Sequence, residues 1–353
     1  MAYGTLSTLD VLESTQQSVV EFGVQAAWES VRVTLEAHNR MVDQMAGELW
    51  VPSTDTRRAY GGGSTKVMEE LDQFGAPSAQ KIAVGVTLDF PLRRYGSGIQ
   101  WTRQSFEMMS GAQLAADVQA MLSADQANII RAAKTALYTA TNYTFVDYLG
   151  RPAGVSLAVK ALINADSSDM PVGPNGETFN GATHTHYLAN ATLTATVVTN
   201  LVTTIQEHYS SGTPILVISS TDEAAFRALS GFIADVDARI IQPGGGTTQV
   251  TNQAANMANL YDRRIGIFGA AEVWIKPWAI ANYILAYMRG QVPLVMRQPV
   301  FAPAGQLRLV SDTDGHPLFA RTYERQFGMG VWQRTAAAVL YFANATYTSP
   351  TIS

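Results

Sequence analysis

RTYERQFGMGVWQRTAAAVLYF, residues 321–342, is the stretch on which the fold turns. Phe327, Met329 and Val331 extend the spacing of Phe319 and Tyr323, and period two marks a strand with one buried face. Arg321 and Arg325 fall between the apolar residues, Arg334 follows, and Gly328 and Gly330 share the same run. Beyond Arg334 no charged residue occurs. Spaced arginines on an exposed strand are commonly a solvated face, where ion pairs contribute little. Here Tyr323 and Trp332 lie close by, and arginine with aromatic residues is the composition that anchors protein contacts. The set therefore reads as a contact surface.

Working outward, 353 residues exceed one small core and suggest two or three compact units. Hydrophobic residues make up 47% of the chain, but only 15% are charged, against about 25% in ordinary soluble domains. The spans 178–206 and 240–261 hold no Asp, Glu, Lys or Arg. So little charge implies neutral surface that contacts partners, and oligomerisation is the economical explanation; polar loops are the alternative. A net charge of −5 argues against gripping nucleic acid by phosphate neutralisation, but not against enclosing it. MAYGTLSTLDVLES lacks the basic start and apolar core of a signal peptide, so secretion is not expected. The apolar run from Ile265 to Met288 is interrupted by Glu272, Lys276 and Pro277 and fails as a membrane span. Without cysteine there are no disulfides, no thiolate catalysis and no cysteine-bound zinc.

Apolar spacing from Leu9 to Trp50 predicts a long amphipathic helical arm, broken near His38–Arg40. Pro52–Gly63 is a breaker-rich hinge ending in three glycines. Ile82, Val84, Val86, Leu88 and Phe90 alternate as a strand, Pro91–Gly98 reads as a bend, and Ile99, Trp101 and Arg103 resume the alternation, a long two-stranded excursion. Ser110 and Gln113 have capping-box spacing, and the helix they open runs to about Ala140, roughly 45 Å at 1.5 Å per residue, with a break at Ser123–Asp125. Gly150–Tyr187 is loop-rich; Thr192–Tyr209 is helical; Thr213–Ser220 is a buried strand; Ser220 with Glu223 forms a second capping box. Ile265–Phe268, Glu272–Ile275 and Tyr283–Ala286 are core strands, QLRLV alternates, and SDTDGHP makes a turn. No internal repeat is visible, and the class is α+β.

No chemical motif is complete. His184 and His186 point one way on an extended segment, as zinc or iron would need, but no third ligand stands at a recognisable spacing. Gly61–Lys66 lacks the order of a P-loop, and Asp312–Gly315 lacks the glutamate of an EF-hand. There is no nucleophile elbow. No catalytic residue, cofactor or metal is assigned.

GIQWTRQSFEMMS (98–110), FGAAEVWIKPWAIANYILAY (268–287) and above all residues 321–342 resemble major capsid proteins of tailed double-stranded-DNA bacteriophages, the family with the HK97-like capsid fold. The resemblance implies an N-terminal arm (1–51), an extended E-loop (52–98), a P-domain (99–190, with spine helix 110–140 and loop-rich segment 150–187), an A-domain (191–300) and returning strands (301–353). It implies a non-enzymatic virion protein, assembled in the host cytoplasm, whose copies form pentamers and hexamers around DNA bound without sequence specificity. A separate scaffolding protein is expected, because the arm is short, with a portal and a possible decoration protein; no membrane is involved. Candidate interface residues are Lys66, Lys81, Arg93, Arg94, Trp101, Arg103, Arg321, Tyr323, Arg325, Trp332 and Arg334. Lys66 and Lys81 lie in the implied E-loop without identifiable crosslinking partners. The alternatives are an encapsulin-like nanocompartment and, from another class, a metal-dependent enzyme using His184 and His186.

Overall fold

The computed structural model describes residues 12–14, 17–45, 48–60, 68–71, 73, 75–78, 85–149, 153–235, 262–301, 305–315 and 318–352. The three-glycine hinge, Lys66, Lys81 and the uncharged 240–261 stretch lie outside them.

A one-turn helix α1 (Val19–Phe22), closed reciprocally by Ser18 and Glu21, turns at Gly23 into helix α2 (Val24–Met45). Gly23 takes φ +101, a conformation open to glycine, so the predicted break falls there and not at His38–Arg40, which lie inside a continuous helix. Nor is α2 a detached arm: Val31, Val42, His38 and Asn39 are buried against the body. Strand β1 (Trp50–Ser53) is followed by β2 (Arg57–Tyr60), β3 (Val86–Asp89) and β4 (Arg93–Thr102). The expected excursion is rearranged: β3 pairs with β2, and the supposed bend at 95–98 is the middle of β4.

Short helix α3 (Arg103–Met108) leads into the spine helix α4 (Gly111–Tyr138), capped by Ser110 and Gln113 as the spacing predicts. Helix α4 runs through Ser123–Asp125 unbroken, for about 42 Å. Leu114, Val118, Ile129 and Leu137 are buried along one stripe, each contributing about 1.5–3 kcal/mol at full burial. The predicted loop region contains a strand, β6 (Val155–Val159), in a hairpin with β5 (Tyr143–Asp147). Then follow β7 (Tyr187–Ala189), helix α5 (Ala195–Gln206), β8 (Pro214–Ile218), helix α6 (Glu223–Arg227) and β9 (Phe232–Ala234). The second capping box does not form, since Ser219 caps a 3-10 turn at Ser220–Asp222 instead.

The remaining strands are β10 (Arg263–Phe268), β11 (Ala271–Ile275), β12 (Tyr283–Met288), β13 (Leu294–Arg297), β14 (Arg308–Gly315), β15 (Leu318–Val331) and β16 (Ala337–Tyr341). The predicted SDTDGHP turn is mostly strand, because β14 pairs with β15 as far as Gly315. One sheet contains β1, β13, β15, β14 and β4; a second, larger sheet has the order β7-β16-β12-β8-β11-β10-β9, beside the two-stranded pairs β2-β3 and β5-β6. Residues 321–342 therefore bridge both sheets, through β15 and β16.

Continuous apolar strands at the centre of the second sheet are buried on both faces. Ile215, Val217, Tyr283, Leu285 and Tyr287 pack toward α4, β13 and β15. The alternate residues Leu216, Ile218, Ile284, Ala286 and Met288 pack toward α5.

Candidate functional site

The structure divides the predicted contact residues into surface and interior. Arg93, Arg94 and Arg103 are exposed: Arg93 lies over the Phe145 ring at 4.8 Å, Arg94 pairs with Glu324 at 2.6 Å, and Arg103 pairs with Glu107 at 3.2 Å. Arg321 pairs with Asp312 at 2.8 Å and covers Trp28 at 3.6 Å, while Trp332, half-buried, lies under Arg58 at 4.6 Å.

Trp101, Tyr323, Arg325 and Arg334 are buried within this chain, where their partners are its own residues. Trp101 and Tyr323 belong to an aromatic cluster with Phe106 and Trp28, where the Trp101 and Phe106 rings lie 5.7 Å apart. The Arg325 guanidinium donates to both oxygens of Asp125 at 2.9 and 3.0 Å and to Asn39 Oδ1 at 2.9 Å, and also reaches the Gly305 carbonyl. His38 Nε2 lies 2.8 Å from the same Asp125. Arg334 donates to the carbonyls of Ala161 and Leu162 and to Asn164 and Asp166. Asp166 also accepts from Lys160 and Asn142, both at 2.7 Å. Burial raises the Asp166 pKa, but the Lys160 hydrogen bond and the Arg334 charge outweigh it and hold the carboxyl well below its ordinary range. The sequence pattern missed different surface residues: Met68, Val300 and Met108 are 96%, 83% and 78% exposed, and Phe301 adjoins Val300 in the open.

The histidines converge. Main-chain bonds from Ala165 N to His184 O and from His186 N to Ile163 O hold the loop in an extended form, with both imidazoles on one side. Helix α5 ends at Gln206 with Glu207 as its C-cap, and the next residue is His208. The Nε2 atoms of His184, His186 and His208 lie 3.1–3.2 Å apart, and Glu207 Oε1 is 3.3 Å from His184 Nε2. His186 and His208 have buried side chains, while those of His184 and Glu207 reach solvent in part. Nδ1 of His186 is 2.7 Å from the Ala337 carbonyl on β16, and buried Nδ1 of His208 has no partner among the described residues. Burial pushes all three imidazoles down, His208 to about 3 with help from His184, and His186 well below its ordinary value. Burial, followed by nearby Glu177, raises Glu207. His208 stands 24 residues from His184, a distance that no local motif spans.

No protein-family model matches the chain, and no curated protein matches it. A solved chain from Mycobacterium phage Patience aligns over 99% of this chain and 96% of its own length, with 20% identity and a TM-score of 0.67. The capsid of a native GTA particle aligns over 86% and 90% at 14% identity and TM-score 0.48. The SrpI encapsulin of Synechococcus elongatus aligns over 88% and 90% at 10% identity and TM-score 0.43. The likeness to the Patience chain is one of fold. With the spine helix and the helix-and-strand body matched along nearly the whole chain, this chain has the α+β HK97-like capsid fold.

Proposed function

We propose that this chain is a structural major capsid protein that assembles, as pentamers and hexamers of itself, into an icosahedral phage head around double-stranded DNA. The observation that carries the reading is the shared fold along 99% of the chain with a phage protein structure. The disposition of charge supports it: Arg325, Arg334, Arg297 and Asp125 are buried inside, leaving apolar Met68, Met108 and Val300 at the surface. A surface so arranged is completed by copies of the chain.

Within this reading the connection between β2 and β3, residues 61–85, is the distal part of the E-loop 52–98. The arm (1–51) precedes it, the P-domain (99–190) holds the spine helix, the A-domain (191–300) holds α5 and most of the second sheet, and the returning strands (301–353) belong to both domains. Lys66, Lys81, Arg93, Arg94, Arg103, Arg321 and Trp332 are the remaining interface candidates. The role is structural, not catalytic, and its partners in building the head are a separate scaffolding protein, a portal and a decoration protein. Among the described residues no helix is long and apolar enough to cross a membrane.

Negative-stain microscopy of the full-length protein, alone and with its scaffolding partner, tests the proposal. Closed shells, sheets or rings are expected, whereas a dispersed monomer at high concentration under both conditions refutes it.

A further inference from the structure

The histidine triangle has a proton problem. Nδ1 of His186 lies 2.7 Å from the Ala337 carbonyl oxygen. A carbonyl only accepts, so a neutral His186 carries its proton on Nδ1 and presents a bare lone pair at Nε2. At most two protons remain for three Nε2–Nε2 approaches of 3.1–3.2 Å. If His184 and His208 both carry theirs on Nε2, those two face each other donor to donor. If either carries its proton on Nδ1, at least one approach sets lone pair against lone pair. No distribution over neutral rings satisfies the triangle, whereas a single cation satisfies all three lone pairs at once.

We propose that His184, His186 and His208, with Glu207 as fourth ligand, bind a zinc-class divalent ion. The four ligand atoms lie within 4.8 Å of one another. The centre of such a nitrogen triangle is about 1.8 Å from each corner, so an ion at the usual Zn–N distance of about 2.0–2.1 Å stands about 1 Å out of the plane, with N–metal–N angles of about 100°. Glu207 Oε1, 3.3 Å from His184 Nε2 and 3.8 Å from His208 Nε2, stands beside that edge of the triangle, and rotation of its partly exposed side chain brings it onto the ion as fourth ligand. Imidazole nitrogen selects zinc and its first-row neighbours over magnesium or calcium, which take oxygen.

The surroundings fit the ion. The Ala337 carbonyl orients the His186 ring, as outer partners of metal-bound histidines do. Glu207 caps the C-terminus of α5, where the helix dipole favours a cation. The Phe179 ring, 4.3 Å from that of His208 and 5.1 Å from that of His184, covers one side, and the partly exposed edge at His184 leaves an entry path. A set filled by four protein ligands is closed, so the ion is structural and not hydrolytic. It joins the 163–186 loop to the end of α5 beside β16. The site lies within one chain and stands whether or not that chain forms shells.

The test uses full-length protein stripped with a chelator and dialysed, then titrated with Zn²⁺ alone by calorimetry and with Co²⁺ alone by visible absorption. One ion per chain and the intense absorption of four-coordinate Co²⁺ are expected. His184→Ala and His208→Ala should weaken Zn²⁺ binding by more than the roughly 10–100-fold that loss of an outer partner costs, and Glu207→Gln should weaken it measurably. His184 is the most exposed of the three histidines, so its variant is the one expected to keep the native circular dichroism spectrum. Absence of Zn²⁺ uptake by the folded wild type, or unchanged affinity in folded His184→Ala, overturns the assignment.

Discussion

At the scale of single residues, the decisive feature is the inward turn of the arginines. Positions 319, 321, 323, 325 and 327 are all odd, so a strand sends Arg321 and Arg325 to the same side as Tyr323 and Phe327, not between them. Parity was the overlooked signal. Asp125 on α4 and Asn39 on α2 then supply partners that no local pattern reveals. Breaking a buried ion pair leaves an uncompensated charge, so Arg325→Ala should cost about 3–5 kcal/mol, read from denaturant unfolding of the monomer. Gly328 answers to a different constraint: a Cβ there would meet the Pro91 carbonyl oxygen at 2.1 Å. Gly328→Ala is expected to cost about 1–3 kcal/mol in the same assay. The Asp166 carboxyl, held below its ordinary range in the fold, contributes stability above its unfolded pKa of about 4, and that contribution is lost as pH falls through the folded value. Unfolding free energy should therefore fall on acidification below about pH 5, and Asp166→Asn should flatten that slope.

At the scale of elements, local periodicity was a reliable guide and pairing was not. The capping box of α4, its apolar stripe and the buried strands β8, β10, β11 and β12 were all legible, because each depends on neighbours a few residues away. The pairing of β4 with β15 was not, nor was the continuity of α4 through Asp125. A buried carboxylate in mid-helix reads as a break until Arg325 and His38 are placed against it. Since α4 is one rod, Ser123→Pro should remove a mid-helix hydrogen bond and cost about 3 kcal/mol or more, seen as a lower melting temperature by circular dichroism.

At the scale of the whole molecule, the body and the segment between β2 and β3 are expected to separate functionally. Tyr60 hydrogen-bonds Thr335 at 3.0 Å and Asp89 accepts from Ala158 N at 2.7 Å, so the base of the β2–β3 ladder is tied to the body. Replacing residues 62–84 by a short glycine-rich connection should leave the melting temperature of the monomer nearly unchanged and abolish shells in the microscope. Loss of folding would instead make that segment part of the core.

By itself the sequence determined the main helices and buried strands, the low charge, the absence of cysteine chemistry and the resemblance that implied the fold, because periodicity and composition record what each segment does with its own neighbours. Only the tertiary structure decided that Arg325 and Arg334 are internal, that β4 joins β15, and that His208 completes the pair at His184 and His186. A charge or lone pair is placed by partners from distant segments, and those meet only when the chain has folded.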